Sequence, residues 1–172
     1  MDTDQRALIL KWQRAVRSGQ IAHYDASARA TSLNLALGIP VVVLTTIVGT
    51  GVFSTLGENS NVALQIVVGL LSIIAAIVSA VHTFLKYSER AERHREAGVR
   101  YAALQKEIDI MLAFPRDDDS LAAWIDDFRK RWDAVAIEAP TIPERVWKKV
   151  NVVVQADSQN TPPTTAVTRN DG

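Results

Sequence analysis

Two long apolar segments without formal charge dominate the pattern of hydrophobic and polar positions along the chain. The first runs for 28 residues from Ala30 to Gly57, and the second runs for 27 residues from Asn59 to Leu85, with Glu58 between them. An α-helix needs about 20 predominantly apolar residues to cross the hydrocarbon layer of a bilayer. Because both segments exceed this length, the pattern predicts an all-α membrane protein built on a two-helix transmembrane hairpin.

Apolar side chains cover almost every side of these two segments. A buried helix of a soluble protein keeps a polar stripe. A secretory signal places its apolar core close to the N-terminus, whereas about 30 polar and charged residues precede the first segment here. The second segment carries 14 Leu, Ile, Val or Phe residues between Val62 and Leu85, which favour insertion by about 4–8 kcal/mol. We therefore expect both segments to enter the membrane.

Basic residues flank the hairpin on one side only, and they predict its orientation. Five precede the first segment and six follow the second by residue 106, whereas the loop Ser54–Asn61 has none. The flanking residues are Arg6, Lys11, Arg14, Arg17 and Arg29, then Lys86, Arg90, Arg93, Arg95, Arg100 and Lys106. Because short loops rich in Lys and Arg stay on the cytoplasmic side, we expect both termini in the cytoplasm.

The overall composition conceals this organisation. The 19 basic and 19 acidic residues balance, and the mean hydropathy is +0.04, because apolar and charged segments cancel. Five segments are expected: a cytoplasmic N-terminal amphipathic helix (1–29), the first span with the start of the loop (30–57), the second span (58–85), a cytoplasmic helical region forming a bundle (86–154) and a disordered tail (155–172). The amphipathic helix has two interpretations, lying on anionic lipid or packing on the cytoplasmic helices.

The cytoplasmic region is predicted to pack through two apolar seams. Because only single glycines interrupt the pattern from Val62 to Phe114, the second span is expected to continue as one helix into the cytoplasm. Asp117–Ser120 supply caps for the next helix. The two seams either bury each other as an antiparallel hairpin or pair between subunits. Their members are Ala97, Tyr101, Leu104, Ile108 and Met111, then Leu121, Ile125, Phe128, Trp132 and Val135.

Small and polar residues form a continuous stripe along the second span. Its members recur at alternating steps of four and three residues: Gln65, Gly69, Ser72, Ala76, Ser79 and Thr83. The stripe has two interpretations, close packing against the first span or the wall of a pore in an oligomer. On the first span, Gly38, Thr45 and Gly49 form a small-residue side that favours helix packing. Because two spans cannot enclose a water path, a conducting function requires several copies.

The chain lacks the sequence patterns of an enzyme. It contains no cysteine, no glycine-rich phosphate loop, no Gly-x-Ser-x-Gly and no metal-ligand spacing. His23, His82 and His94 lie far apart in sequence, and His94 is interpreted as an interface histidine on a charged helix. We expect no catalytic activity, cofactor, metal site or direct binding of nucleic acid.

Several short motifs together resemble a known family. Trp12 and His23-Tyr24 precede a first span with Asn34 and Leu37-Gly38-Ile39-Pro40. The stretch from Ala91 to Leu104 contains His-Arg-x-Ala-Gly-x-x-Tyr-x-x-Leu and is followed by Glu107, Ala139-Pro140 and Ile142-Pro143. Over residues 5–150 the chain resembles the SLATT family, the two-transmembrane effector modules of bacterial conflict systems.

The resemblance implies a homo-oligomeric effector of the bacterial inner membrane. Such an effector would form pores or otherwise disrupt the membrane in a nucleotide-signal-dependent antiviral defence, the abortive infection of a cell. Its partners would be the lipid bilayer and a protein that makes or senses the nucleotide signal. The candidate regulatory or interface positions are Arg93, His94, Arg95, Gly98, Arg100 and Tyr101. The alternative is a non-conducting membrane anchor that recruits a cytoplasmic partner.

Overall fold

The chain is almost entirely helical, which confirms the predicted all-α class. The structure is a computed structural model that describes residues 2–54, 62–114 and 117–160. Its helices are α1 (Thr3–Ser54), α2 (Val62–Leu85), α3 (Tyr87–Ala113), α4 (Asp118–Glu138) and α5 (Glu144–Asn160). The predicted loop falls largely on residues 55–61, and the helix stop at Pro115 falls on residues 115–116; both lie outside the described residues.

The helices divide into two compact units. The helical unit comprises Met1–Ala26 and His94–Gly172, and the apolar unit comprises Ser27–Arg93. The helix α1 is continuous from Thr3 to Ser54, so the predicted amphipathic helix and the first apolar segment belong to one element. This continuity has a local reason, since the sequence around residue 29 contains neither proline nor glycine that would end a helix.

The second apolar helix ends earlier than the sequence pattern predicts. α2 stops at Leu85, Lys86 has a φ angle of 46°, and α3 begins at Tyr87. A left-handed conformation costs a residue other than glycine about 1–2 kcal/mol. The backbone N–H of Arg90 still donates to the carbonyl of Lys86 at 3.1 Å. The structure therefore differs from the predicted continuous helix by one left-handed residue at the junction.

The helical unit has a core built from three helices. Both predicted seams contribute to it, and the N-terminal part of α1 packs against them through Ile9, Trp12 and Val16. The Trp12 and Phe128 rings are stacked with centroids 5.7 Å apart. The two seams thus bury each other within one chain, which is one of the two arrangements expected for them. The beginning of α1 packs on the same helices, which is one of the two interpretations of the amphipathic helix.

The ends of α4 and α5 complete this unit. Asp117 caps α4 by accepting a hydrogen bond from the backbone N–H of Ser120, as predicted. Val146, Val150 and Val154 lie on one side of α5 and pack against Ala22 of α1. The helix α5 reaches Asn160, so residues 155–160 of the segment predicted to be a disordered tail are helical. Residues 161–172 of that segment lie outside the described residues.

Candidate functional site

The two apolar helices contact each other along a regular seam, which we call the span seam. It is marked by the half-buried or buried positions of the two helices: 30, 34, 37, 38, 41, 44, 48 and 51 on α1, and 68, 71, 72, 75, 78, 79, 82 and 85 on α2. Asn34 lies beside His82 and Gly51 lies against Val68.

A polar pair sits inside this apolar seam. His82 Nε2 and Asn34 Oδ1 are 3.1 Å apart, and a Cβ added to Gly38 would lie 3.5 Å from His82 Nε2. A hydrogen bond between two helices satisfies polar groups that would otherwise face apolar surroundings. The predicted packing position Gly38 therefore lies where the imidazole of His82 approaches α1.

The predicted stripe on α2 overlaps the span seam at Ser72 and Ser79 and otherwise lies beside it. Most stripe positions follow a seam position by one residue, a rotation of about 100° around the helix. Ser72 and Ser79 are half-buried at the edge of the seam. The other four members, Gln65, Gly69, Ala76 and Thr83, are exposed. Within one chain, most of the stripe is therefore not covered by α1.

Several small residues of the two apolar helices leave open space around them. A Cβ added to Gly49 or to Gly69 would meet no heavy atom within 4 Å. Thr45, on the same predicted packing side as Gly49, is exposed, and its hydroxyl donates to the carbonyl of Val41 at 2.9 Å. Of the three α1 residues predicted to pack, the structure thus brings Gly38 to α2 and leaves Thr45 and Gly49 at the surface.

A second constellation lies in the helical unit, where α1 approaches α3. His23 Nδ1 and His94 Nδ1 are 3.0 Å apart. The His23 ring also stacks on Tyr101, with centroids 5.4 Å apart. A Cβ added to Gly98 would lie 3.1 Å from the Tyr24 ring. The candidates His94, Gly98 and Tyr101 therefore lie together at one helix crossing.

Burial controls the protonation of this cluster. His23 is 2% exposed, and burial, with a smaller effect of the neighbouring His94, lowers the pKa of His23 to about 4. Burial also lowers the pKa of His94 and raises the pKa of Tyr101. Because one Nδ1 must accept when the other donates, the two rings can hold a single proton between these nitrogens.

Two of the three candidate arginines pair with acidic side chains. Arg93 pairs with Glu89 at 2.6 Å, and Arg95 is exposed. Arg100 pairs with Glu96 at 2.8 Å and also with Glu138 of α4. Water and salt screen such exposed ion pairs, so they contribute little to stability. Arg100 thus joins α3 to α4 at the surface, and the histidine pair provides the buried polar contact.

Sequence reasoning missed both polar pairs because their partners are distant along the chain. His23 and His94 are 71 residues apart, and Asn34 and His82 are 48 residues apart. The sequence signal for each of these four residues was a polar side chain at a position where helical spacing predicts an apolar face. Among the residues that the structure describes, no group of three or more His, Asp or Glu side chains could hold a metal ion.

Comparison of the chain with models of protein families, with curated proteins and with solved structures gave no match. Function is therefore argued from the sequence and from the geometry of these helices. The two long helices, α1 and the helix that begins at Val62, are apolar enough to cross a membrane.

Proposed function

We propose that the chain is a membrane effector whose apolar helices cross the bacterial inner membrane twice as an antiparallel hairpin. The apolar stretches are almost entirely unburied, which is the opposite of a core helix in a soluble protein. Large side chains such as Ile39, Val42, Leu70, Ile77 and Phe84 are exposed. Lipid is the environment that removes this surface from water, at about 25 cal/mol per Å² of apolar area.

The orientation of this hairpin follows from its basic flanks. Five basic residues precede the first apolar segment and six follow the second by residue 106. Basic residues near the ends of spans remain cytoplasmic. The proposal therefore has both termini and the helical unit in the cytoplasm, with the short connection between the spans on the other side.

The exposed stripe on α2 is the observation that carries the proposal of an oligomeric pore. Gln65, Gly69, Ala76 and Thr83 are exposed in the single chain, although polar groups at membrane depth are expected to face a bundle interior or water. The hydroxyl of Thr83 donates to the carbonyl of Ser79 at 2.9 Å and keeps lone pairs that can accept from water. Several copies arranged around this stripe would enclose a polar path.

The biological role proposed for such a pore is antiviral defence. The resemblance of residues 5–150 to the SLATT family supports an effector that disrupts the membrane of an infected cell in response to a nucleotide signal. In this proposal the trigger comes from a partner protein that makes or senses the nucleotide. The signal would act by favouring one arrangement of the helices over another.

Membrane potential in bacteria after induced expression tests this proposal. The variant Gly69→Leu/Ala76→Leu adds bulk to the stripe at exposed positions, whereas leucines at the half-buried Ser72 and Ser79 would disturb the span seam. A matched control is Val67→Phe/Val81→Phe, because both positions are exposed and lie on other sides of α2. Membrane abundance must be matched for all three proteins. We expect the wild type and the control to depolarise the cells and the stripe variant to lose the effect.

Two outcomes would contradict the proposal. Equal depolarisation by the wild type and the stripe variant would mean that this stripe is not the pore wall. Absence of depolarisation by the wild type, also with candidate signal-producing neighbours co-expressed, would favour a non-conducting anchor that recruits a cytoplasmic partner.

A further inference from the structure

The helical unit contains a cavity that none of the predicted functions uses. Its volume is about 400 Å³, and it lies among four helices, with Ser18 and Gly19 of α1, Tyr101 of α3, Trp132 and Asp133 of α4 and Trp147 of α5 in its lining. Small-molecule sites have volumes of about 300–1,000 Å³ and combine apolar walls with a few polar groups. The cavity has this size and this composition.

Two of the aromatic walls are held in place by their neighbours. A Cβ added to Gly19 would lie 2.8 Å from the Tyr101 ring, which means that this ring rests directly on the backbone of α1. The Tyr101 ring also stacks on the ring of His23. The Trp132 ring meets Trp12 edge to face, with centroids 6.0 Å apart. Rings fixed in this way lose little conformational freedom when a ligand binds.

The third aromatic wall faces solvent. Trp147 is 40% exposed, although it lines the same cavity as the buried Tyr101. The cavity is thus open on the side of α5, and a small molecule can reach it without unfolding the core. Trp147 can also be replaced without removing a buried core side chain.

The charge of the lining is negative. Among the described residues that line the cavity, Asp133 is the only ionisable carboxylate and none is Lys or Arg. Other acidic residues of α4 are paired: Asp126 with Lys130 at 2.7 Å, Asp127 with Arg131 at 2.8 Å, and Glu138 with Arg100. In the part of the chain that the structure describes, Asp133 has no such ion pair. Asp133 is exposed, so water screens its charge and no ion pair neutralises it.

We propose that this cavity binds a small organic cation of the alkylammonium class. The faces of Trp and Tyr rings carry negative electrostatic potential and attract ammonium groups within about 6 Å of the ring centroid. The N-alkyl groups would contact the rings of Trp132 and Trp147, because Tyr101 is already occupied by His23 and Gly19, and Asp133 would balance the charge. A phosphate or carboxylate ligand finds no cationic side chain in this lining. The site is independent of the proposed pore, since it lies within the helical unit.

Titration of the detergent-solubilised full chain with choline tests the inference, with saturation-transfer NMR of the N-methyl protons as the readout. The control ligand is 3,3-dimethylbutan-1-ol, which has the same shape as choline without its charge. Ionic strength is kept constant with potassium chloride. We expect saturable binding of choline and at least about tenfold weaker binding of the alcohol, because the cation–π attraction requires the charge.

Three variants locate the site. Asp133→Asn is expected to weaken choline binding about threefold, and Trp147→Leu about fivefold, by loss of an exposed carboxylate and of one aromatic face. Asp119→Asn is the matched control, because Asp119 is an exposed acid of the same helix that does not line the cavity. Far-UV circular dichroism verifies that each variant remains folded.

Each of three results would overturn the inference. The first is absence of saturable choline binding to the wild type. The second is equal affinity for choline and for the uncharged alcohol, which would indicate an unselective apolar cavity. The third is equal weakening by Asp133→Asn and Asp119→Asn, which would indicate attraction to the general charge of α4.

Discussion

At the scale of single residues, the histidine pair is the clearest case of a polar group that the fold encloses. His23 is nearly fully buried, its Nδ1 shares a hydrogen bond with His94, and its ring lies against Tyr101. A protonated His23 ring would be removed from water, and neither His94 nor Tyr101 supplies a carboxylate to pair with its charge. Burial therefore favours the neutral rings, in agreement with the lowered pKa of both histidines.

We predict that the helical unit loses stability as pH falls from about 6.5 toward about 4. The pKa of His23 is about 4 in the folded chain and 6.5 ordinarily, so between these values the unfolded chain binds more protons. Stability then decreases as the pH decreases. The midpoint of urea unfolding at about pH 7 and about pH 5 measures this difference. Tryptophan fluorescence reports on this unit alone, because all four tryptophans belong to it.

The control for this prediction is His23→Gln, which keeps a hydrogen-bonding side chain and removes the titration of His23. We expect a smaller change of the urea midpoint between the two pH values in this variant. A midpoint of the wild type that stays constant or rises on acidification would contradict the prediction, as would an unchanged pH dependence in the variant.

At the scale of elements, the approach of α1 to α3 depends on two glycines with different surroundings. A Cβ at Gly19 would lie 2.8 Å from the ring of Tyr101, and a Cβ at Gly98 would lie 3.1 Å from the ring of Tyr24. Tyr101 is 8% exposed, whereas Tyr24 is 39% exposed. The first ring is held by its neighbours, and the second can turn toward solvent.

We therefore predict opposite effects of two similar substitutions. Gly19→Ala should destabilise the helical unit by about 1–2 kcal/mol, because overpacking of the fixed ring costs more than alanine gains in helix propensity. Gly98→Ala should be neutral or stabilising by up to about 1 kcal/mol. Urea unfolding followed by tryptophan fluorescence compares the two. Equal free energies of unfolding for both variants would show that the Tyr101 ring does not restrict how closely α1 approaches α3.

The helices could be predicted where apolar spacing and capping residues agreed. They could not be predicted where a single residue interrupts a helix that the apolar pattern continues. The α3 and α4 seams and the Asp117 cap were readable, because apolar spacing and capping residues have direct structural consequences. The left-handed Lys86 was not readable, because no glycine or proline marks it. The continuation of α5 over residues 155–160 was missed because their polar composition gives no apolar pattern that would predict a helix.

At the scale of the whole molecule, the two units keep their apolar residues in different places. In the helical unit Phe128, Ile108 and Leu121 are completely buried, as in a soluble protein. In the apolar unit Ala75 is the one buried member of α2, and large apolar side chains are exposed. This contrast explains why the mean hydropathy of the chain, +0.04, is uninformative about its construction.

The stripe on α2 could be predicted from the sequence, but the side of α2 that faces α1 could not. Most side chains around α2 are apolar, so the hydrophobic pattern does not select the side of the helix that faces α1. In lipid, packing of small residues and hydrogen bonds makes that selection. Here the seam follows positions 68, 75 and 82, with the His82–Asn34 hydrogen bond among them, and leaves Gly69 and Ala76 exposed.

Modification of single cysteine variants in native membranes by a water-soluble, membrane-impermeant thiol reagent tests most directly the central claim, that this stripe lines a water path between copies of the chain. The chain has no cysteine, so single variants Gly69→Cys and Ala76→Cys report on one position each, and Ile74→Cys, exposed on another side of α2, is the control. The reagent reacts with the thiolate, which forms in water and not in lipid. We predict modification of the two stripe positions and little modification of Ile74→Cys. Absence of modification at both stripe positions, or equal modification at all three, would contradict the proposed pore wall.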